Sequence, residues 1–179
     1  GAGLGGGSAN AACVIKGLSQ LFDLKLSLST MESLAAELGS DTAFFVADRP
    51  ALATGRGEIL SPIELSMKGY RLVIVKPNVG VSTAEAYAHV TSHMPETALT
   101  EQLVQPVELW KDVIGNDFEM SVFPQYPQIA EIKQQLYEMG ALYASMSGSG
   151  SAVYGIFSGD RGVIQADFLD CFVYQEDMA

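Results

Sequence analysis

The sequence predicts an α+β fold, and three observations carry that expectation. Helical and strand-like patterns are mixed without the strict alternation of a doubly wound sheet. Two glycine-bearing turns, Gly55-Arg56-Gly57 and Ser147-Gly148-Ser149-Gly150, each separate a pair of strand-sized runs, as hairpin turns do. Apolar residues are 48% of the 179, which suffices for one substantial core or two small ones sharing an interface.

Taken in order, residues 8–21 read as a helix. Ser8 and Asn10 are its candidate N-caps, and Ala12, Val14, Ile15, Leu18 and Leu21 form an apolar stripe near helical spacing. The spacing predicts a second helix over 30–38, capped by Ser29 or Thr30 and closed by Gly39 in a left-handed conformation. A short loop at 39–41 runs into an expected strand at 42–46, and the hairpin around Gly55-Arg56-Gly57 follows, with strands at 51–54 and 58–60. The pattern loosens at 61–68, and a soft boundary there divides lobes 1–66 and 67–179. Residues 70–76 are an expected buried strand, Ser82 or Thr83 starts a helix reaching about 90, and 92–104 reads as polar loop. Helices are expected near 106–113 and 126–139, the second with Ile129, Ile132, Leu136 and Met139 on one face and Gly140 at its end. Strands at 142–146 and 151–157 flank the second glycine turn. The chain then ends on a short helix near 164–168 and an edge strand at 171–174. Trp110 and the Phe44–Phe45 pair read as core.

Composition excludes several classes. The net charge is −11, and the 10 Lys and Arg are scattered, so nucleic acid is not an expected partner, because duplex binding needs clustered cations. An anionic ligand would have to be met by backbone N–H groups rather than by side-chain charge. No apolar run reaches the length of about 18 residues that a spanning helix needs, and the N-terminus has no signal-peptide pattern. A membrane is therefore not an expected partner, and a cytoplasmic location is expected. Cys13 and Cys171 are expected to be free, buried thiols in a reducing compartment. No paired-cysteine or Cys/His spacing supports a structural zinc. The chain opens inside a glycine-rich loop with no strand before it, from which a further upstream segment is expected.

That loop, GAGLGGGSAN, is the strongest chemical signal. Five glycines within seven residues let backbone amides approach a ligand without a Cβ in the way. The helix that follows adds unpaired N–H groups and the positive end of its dipole, which together make a phosphate cradle. No GxxxxGK[ST] is present, so the loop is not that of a P-loop NTPase. Gly1, Gly3 and Gly6 do satisfy G-x-G-x-x-G, which keeps a Rossmann-type dinucleotide-binding reading open, with Asp23 about 20 residues downstream. Asp41 and the Ser147–Gly150 turn are two further candidates. Taken singly, they read as a turn residue and a plain hairpin. His89 and His93 read as solvated.

Together these signals resemble the GHMP kinases. GLGGGSANAA at 3–12 resembles that superfamily's ATP-phosphate loop, and ALYASMSGSGSAVYGIF at 141–157 resembles its third motif. LGSDTAFFVADRPALATGRGEIL at 38–60 and KPNVGVSTAEAY at 76–87 resemble the branch that acts on a cytidine-diphosphate-linked methylerythritol. The resemblance spans about residues 1–157. It implies a GHMP kinase fold, with the end of an ATP-binding lobe followed by a ferredoxin-like C-terminal lobe. It also implies ATP- and Mg²⁺-dependent phosphorylation of an alcohol, in the non-mevalonate route to isoprenoid precursors. Another member of the superfamily, of the homoserine or mevalonate type, shares the loop and is the alternative.

By the same resemblance, Asp41 is the catalytic acidic residue. Gly1, Ala2, Gly3, Leu4, Gly5, Gly6, Gly7, Ser8 and Ala9 hold the ATP phosphates, with Ser8 near Mg²⁺. Position 9 is alanine where the family often carries a second serine, so any serine contact to the metal falls to Ser8. Ser147, Gly148, Ser149 and Gly150 support the floor of the active site, and Thr83 and Tyr87 meet the cytidyl substrate, Tyr87 by stacking. The family's companion lysine lies upstream of the residues in hand, and the chain alone is expected to be inactive.

Overall fold

The computed structural model describes residues 2–88, 90, 96–160 and 168–179. The chain divides into two compact units: unit 1 comprises Gly1–Leu4 with Ser66–Ala179, and unit 2 is Gly5–Leu65.

Unit 2 is built from three helices and a hairpin: α1 (Gly6–Leu21), α2 (Leu28–Leu38), α3 (Thr42–Ala47), β1 (Ala51–Thr54) and β2 (Ile59–Pro62). Helix α1 begins two residues earlier than expected, and neither Ser8 nor Asn10 caps it. The N-cap is Gly5, left-handed at φ 61 and making no side-chain cap bond. Helix α2 likewise starts earlier, because the hydroxyl of Ser27 accepts the Thr30 N–H at 3.1 Å. Gly39 ends it in extended backbone at φ 178, not in the left-handed region.

The expected strand at 42–46 is helix α3 instead. Its apolar and β-branched composition suits a strand, but Thr42, Ala43 and Val46 are buried at positions i, i+1 and i+4, which share one face only in a helix. The unit's core is small, formed by Ala12, Ala35, Ala43 and Val46 with Ile15, Met31, Phe45 and Leu60 packed against it. Of the predicted α1 stripe, only Ala12 and Ile15 join this cluster, whereas Val14, Leu18 and Leu21 are exposed. Cys13, expected to be buried, is exposed on α1, and both cysteines are free. In the β1–β2 turn the Glu58 carboxylate accepts the Arg56 N–H at 2.7 Å. The backbone N–H groups of Glu58 itself and of Arg56 hold it below the usual carboxylate range.

Unit 1 contains a four-stranded antiparallel sheet among the described residues, in the order β4-β5-β3-β6. The strands are β3 (Tyr70–Lys76), β4 (Tyr143–Met146), β5 (Val153–Ser158) and β6 (Phe172–Asp177). Central β3 pairs with β5 in the register Val73↔Gly155 and with β6 in the register Val73↔Gln175. A long helical excursion separates β3 from the β4–β5 hairpin, and β6 returns beside β3. This is the strand order of a ferredoxin-like sheet. The excursion holds α4 (Thr83–Ala88), α5 (Leu99–Leu103), a 3₁₀ turn (Val107–Leu109), α6 (Trp110–Val113), α7 (Phe118–Val122) and α8 (Pro127–Glu138).

Helix α5 corrects the expected polar loop at 92–104. The single helix expected at 106–113 is broken into the 3₁₀ turn and α6. Helix α8 matches its predicted span closely, with proline at its start and Gly140 left-handed at φ 92 beyond its end. The helix expected near 164–168 and the residues His89 and His93 fall mainly or wholly outside the described residues, and Phe168 is non-helical. Trp110 is buried as expected, and its indole N–H donates to the Gln105 carbonyl at 3.0 Å.

Helix α8 sits on the sheet through Ile129, Ile132 and Leu136, against a core that includes Val73, Val75, Val153 and Phe157. Leu136 has 0% relative exposure, so truncating it leaves a cavity that the packed sheet cannot close. Leu136→Ala is expected to cost about 2–5 kcal/mol of stability in urea unfolding. A loss below about 1 kcal/mol would contradict this packing.

Candidate active site

The glycine loop divides between the two units: Gly1–Leu4 belongs to unit 1 and Gly5 onward to unit 2. Gly1, a predicted phosphate-binding residue, lies outside the described residues.

In unit 2 the site is made by two helix starts. The first intrahelical bond of α1 runs from the Ala9 N–H to the Gly5 carbonyl at 2.8 Å, so the amides of Gly6, Gly7 and Ser8 precede it and have no helical partner. Gly6 and Gly7 are exposed, and an added Cβ at either would meet nothing within 4 Å. These amides lie open at the positive end of the helix dipole, an arrangement that could receive an anion.

Asp41 stands at the N-terminus of α3, exposed and making no cap bond to its own helix. The Ser8 hydroxyl donates to its carboxylate at 3.3 Å across 33 residues of sequence. That is long beside the usual separation of about 2.7–2.8 Å, so the contact orients the carboxylate and leaves most of its lone pairs for another donor. Two contacts fix α1 against α3. An added Cβ on Gly5 would come within 2.5 Å of the Phe45 ring. The Lys16 ammonium donates to the Phe45 carbonyl at 3.0 Å. Ser8 thus meets the start of α3 and Lys16 its end, so the two helices run in the same direction with both positive ends on Asp41's side.

In unit 1, Gly3 is left-handed at φ 72, and a Cβ there would overlap the Ser147 carbonyl oxygen. The Ser147 hydroxyl donates to the Gly3 carbonyl at 2.7 Å, and the Ala152 N–H donates to the Ala2 carbonyl at 3.0 Å. The Ser147–Gly150 turn therefore carries the start of the glycine loop, and Gly150 N–H to Ser147 O at 2.9 Å closes it.

Thr83 and Tyr87 lie one turn apart at the two ends of α4, and both are exposed. Tyr87 is 63% exposed, and its ring meets Phe118 edge-on at 4.8 Å between centroids. The ring is thus supported on one side by Phe118 while much of it remains exposed. Phe118 had no signal in the sequence pattern, because its helix is only five residues long.

The available metal donors are hard oxygens, the Ser8 hydroxyl and the Asp41 carboxylate. That chemistry suits Mg²⁺ completed by phosphate oxygens and water.

Comparison with known proteins places this geometry in a family. The profile for the GHMP kinases N terminal domain matches residues 1–49, and the profile described as GHMP kinases C terminal matches residues 100–174. The chain belongs to the GHMP kinase family.

Within that family it is 51% identical over 178 residues to a 4-diphosphocytidyl-2-C-methyl-D-erythritol kinase of Bacteroides fragilis, covering 99% of this chain and 65% of the relative. It is 52% identical over 168 residues to the kinase of that name from Bacteroides thetaiotaomicron, covering 94% of this chain and 61% of the relative. The chain thus spans about 65% of the length of such relatives. A crystal structure of 4-(cytidine 5'-diphospho)-2C-methyl-D-erythritol kinase superposes with a TM-score of 0.69 at 34% identity, over 87% of this chain and 57% of that one. A homoserine kinase from Cytophaga hutchinsonii, 18% identical with a TM-score of 0.65 over 99% of this chain and 66% of that one, shares the fold. The antiparallel sheet and this membership replace the Rossmann-type alternative. No described helix is long and apolar enough to cross a membrane.

Two glycines of one loop should respond oppositely to the same substitution. Gly3→Ala sets a methyl against backbone at a left-handed φ, and a loss of about 1–3 kcal/mol in urea unfolding is expected. Gly7→Ala adds a methyl in open space on a helix and should leave stability unchanged or raise it by up to about 1 kcal/mol. Equal losses in the two variants would contradict the seating of Gly3.

Proposed function

We propose that this chain carries most of a cytoplasmic kinase that transfers the terminal phosphoryl group of ATP to a hydroxyl of 4-diphosphocytidyl-2-C-methyl-D-erythritol, in the synthesis of isoprenoid precursors. One observation carries the reading: the Asp41 carboxylate is held 3.3 Å from the Ser8 hydroxyl, at the start of a helix whose first amides are unpaired. An acidic group and an anion cradle side by side are what phosphoryl transfer to an alcohol requires. Kinship of 51% with kinases named for that substrate supports the choice of acceptor.

In this reading residues 1–66 are the end of the ATP-binding lobe and 67–179 the C-terminal lobe. Backbone amides of the glycine loop, from Ala2 to Ala9 with Gly1 before them, receive the phosphate oxygens. The dipole of α1 lowers the cost of gathering negative charge there. Asp41 accepts a hydrogen bond from the acceptor hydroxyl, aims its oxygen at the terminal phosphorus, and takes the proton as the new P–O bond forms and ADP leaves. The Ser8 hydroxyl keeps the carboxylate turned toward the loop. Ser8 would hold Mg²⁺, which would supply neutralisation of the charge on the transferred group. Ser147, Gly148, Ser149 and Gly150 support the loop from below. The exposed Tyr87 ring stacks on the cytosine ring, with the Thr83 hydroxyl one turn away for a polar edge.

Asp41→Asn in the full-length protein keeps the shape and the Ser8 contact but cannot receive a proton. A fall in kcat of about 10²–10⁴-fold is expected, with ATP affinity nearly unchanged. Undiminished turnover would refute the assignment. Tyr87→Ala should raise KM for the cytidyl substrate by about 5- to 150-fold, corresponding to one lost base stack, while KM for ATP stays constant. An unchanged substrate KM would point to a different acceptor.

A further inference from the structure

The Ser147–Gly150 turn is itself held by side chains to which the sequence assigned no role. Asn116 lies in the turn before α7, and its side-chain carbonyl accepts the Phe118 N–H at 3.0 Å. Its amide nitrogen then faces outward and donates twice, to the Met146 carbonyl at 2.8 Å and to the Gly148 carbonyl at 2.8 Å. With the oxygen committed to Phe118 and two carbonyls facing the nitrogen, only one orientation of the amide satisfies every partner.

Three residues further on, the Glu119 carboxylate accepts the Met146 N–H at 2.8 Å and the Ser145 hydroxyl at 3.2 Å. Its other oxygen pairs with Lys133 of α8 at 2.5 Å, where the two side chains are 13% and 22% exposed and so little screened. Both backbone polar groups of Met146 are thus held from the 116–119 turn, and the Gly148 carbonyl is held as well. The residue between them, Ser147, donates to the Gly3 carbonyl.

We propose that Asn116, with Glu119 beside it, is a positioning residue for nucleotide. It sets the height of the Ser147–Gly150 turn and, through Ser147, the place of Gly3 in the phosphate loop. The inference rests on the kinase reading above and goes beyond it by adding residues that touch neither substrate. A turn that merely stabilised the fold would need no double donation to the carbonyls on either side of Ser147. Its loss would lower stability without singling out one substrate.

The test uses the full-length protein and steady-state kinetics with both substrates varied. Asn116→Asp keeps the size of the side chain and the acceptor for Phe118 but removes both donations. KM for ATP is expected to rise roughly ten-fold or more, with KM for the alcohol acceptor within about two-fold of the parent. Ser147→Ala should raise the same constant. The double variant should be affected by clearly less than the product of the two single effects, because both act on Gly3.

An ATP KM within two-fold of the parent, both KM values rising together, or fully multiplicative effects would each overturn the proposal. If Asn116→Asp does not fold, Asn116→Ala removes the same donors without adding charge and is read in the same way. A parent protein that does not phosphorylate the cytidyl substrate at all would instead refute the kinase reading.

Discussion

Phe45 lies where a side chain at Gly5 would strike it, and this contact aligns α1 with α3 in unit 2. Because Gly5 has no Cβ, α1 can start directly against the Phe45 ring. Lys16 then ties the far end of α3 to the same face of α1. With both ends of α3 referenced to α1, Asp41 arrives at the start of α1 rather than in solvent elsewhere, and the Ser8 hydroxyl reaches it. The carboxylate therefore stands next to unpaired amides without an ion pair of its own among the described residues. Exposed at the start of α3 and contacted by the Ser8 hydroxyl, the carboxylate keeps lone pairs open to a further donor.

The same logic recurs in unit 1 with different parts. There the backbone of the glycine loop is carried on another backbone turn, and close approach again requires a missing side chain, at Gly3. That turn is held by side chains from a short helix and the residues before it, where a half-buried carboxylate and amide bond three backbone groups of residues 146 and 148 and the Ser145 hydroxyl. Short helices such as α7 contribute little stability alone. Here the helix matters for the groups it presents to the β4–β5 turn.

These features differ in how far the sequence reveals them. The strand at Tyr70–Lys76 and the single-faced α8 express local periodicity, and both stand where the pattern puts them, whereas the opening glycine loop gives way to α1 two residues earlier than its composition suggests. Asp41 on its own looks like a turn residue, and only the flanking motif and its likeness to the GHMP kinases single it out. Residues 42–46 read as a strand because so short a run has no period long enough to separate helix from strand, and the packing of Ala43 and Val46 selects the helix Thr42–Ala47. The α1 stripe departs in the opposite way, since helical spacing promises burial of the whole stripe while Ala12 and Ile15 alone of its residues join the core cluster of unit 2. Asn116 could not be found by pattern at all, because its partners lie 30 and 32 residues away and are backbone carbonyls, which leave no trace in side-chain chemistry.

The central claim is that the packing of α1 on α3 delivers a carboxylate to the alcohol beside the nucleotide's phosphates. A crystal structure of the full-length protein with a non-hydrolysable ATP analogue and the cytidyl alcohol measures this directly. The account predicts the acceptor oxygen at about 2.6–3.2 Å from an Asp41 carboxylate oxygen, with phosphate oxygens on the amides of Gly6, Gly7 and Ser8. An acceptor hydroxyl more than about 5 Å from Asp41, or phosphates seated away from the start of α1, would contradict it.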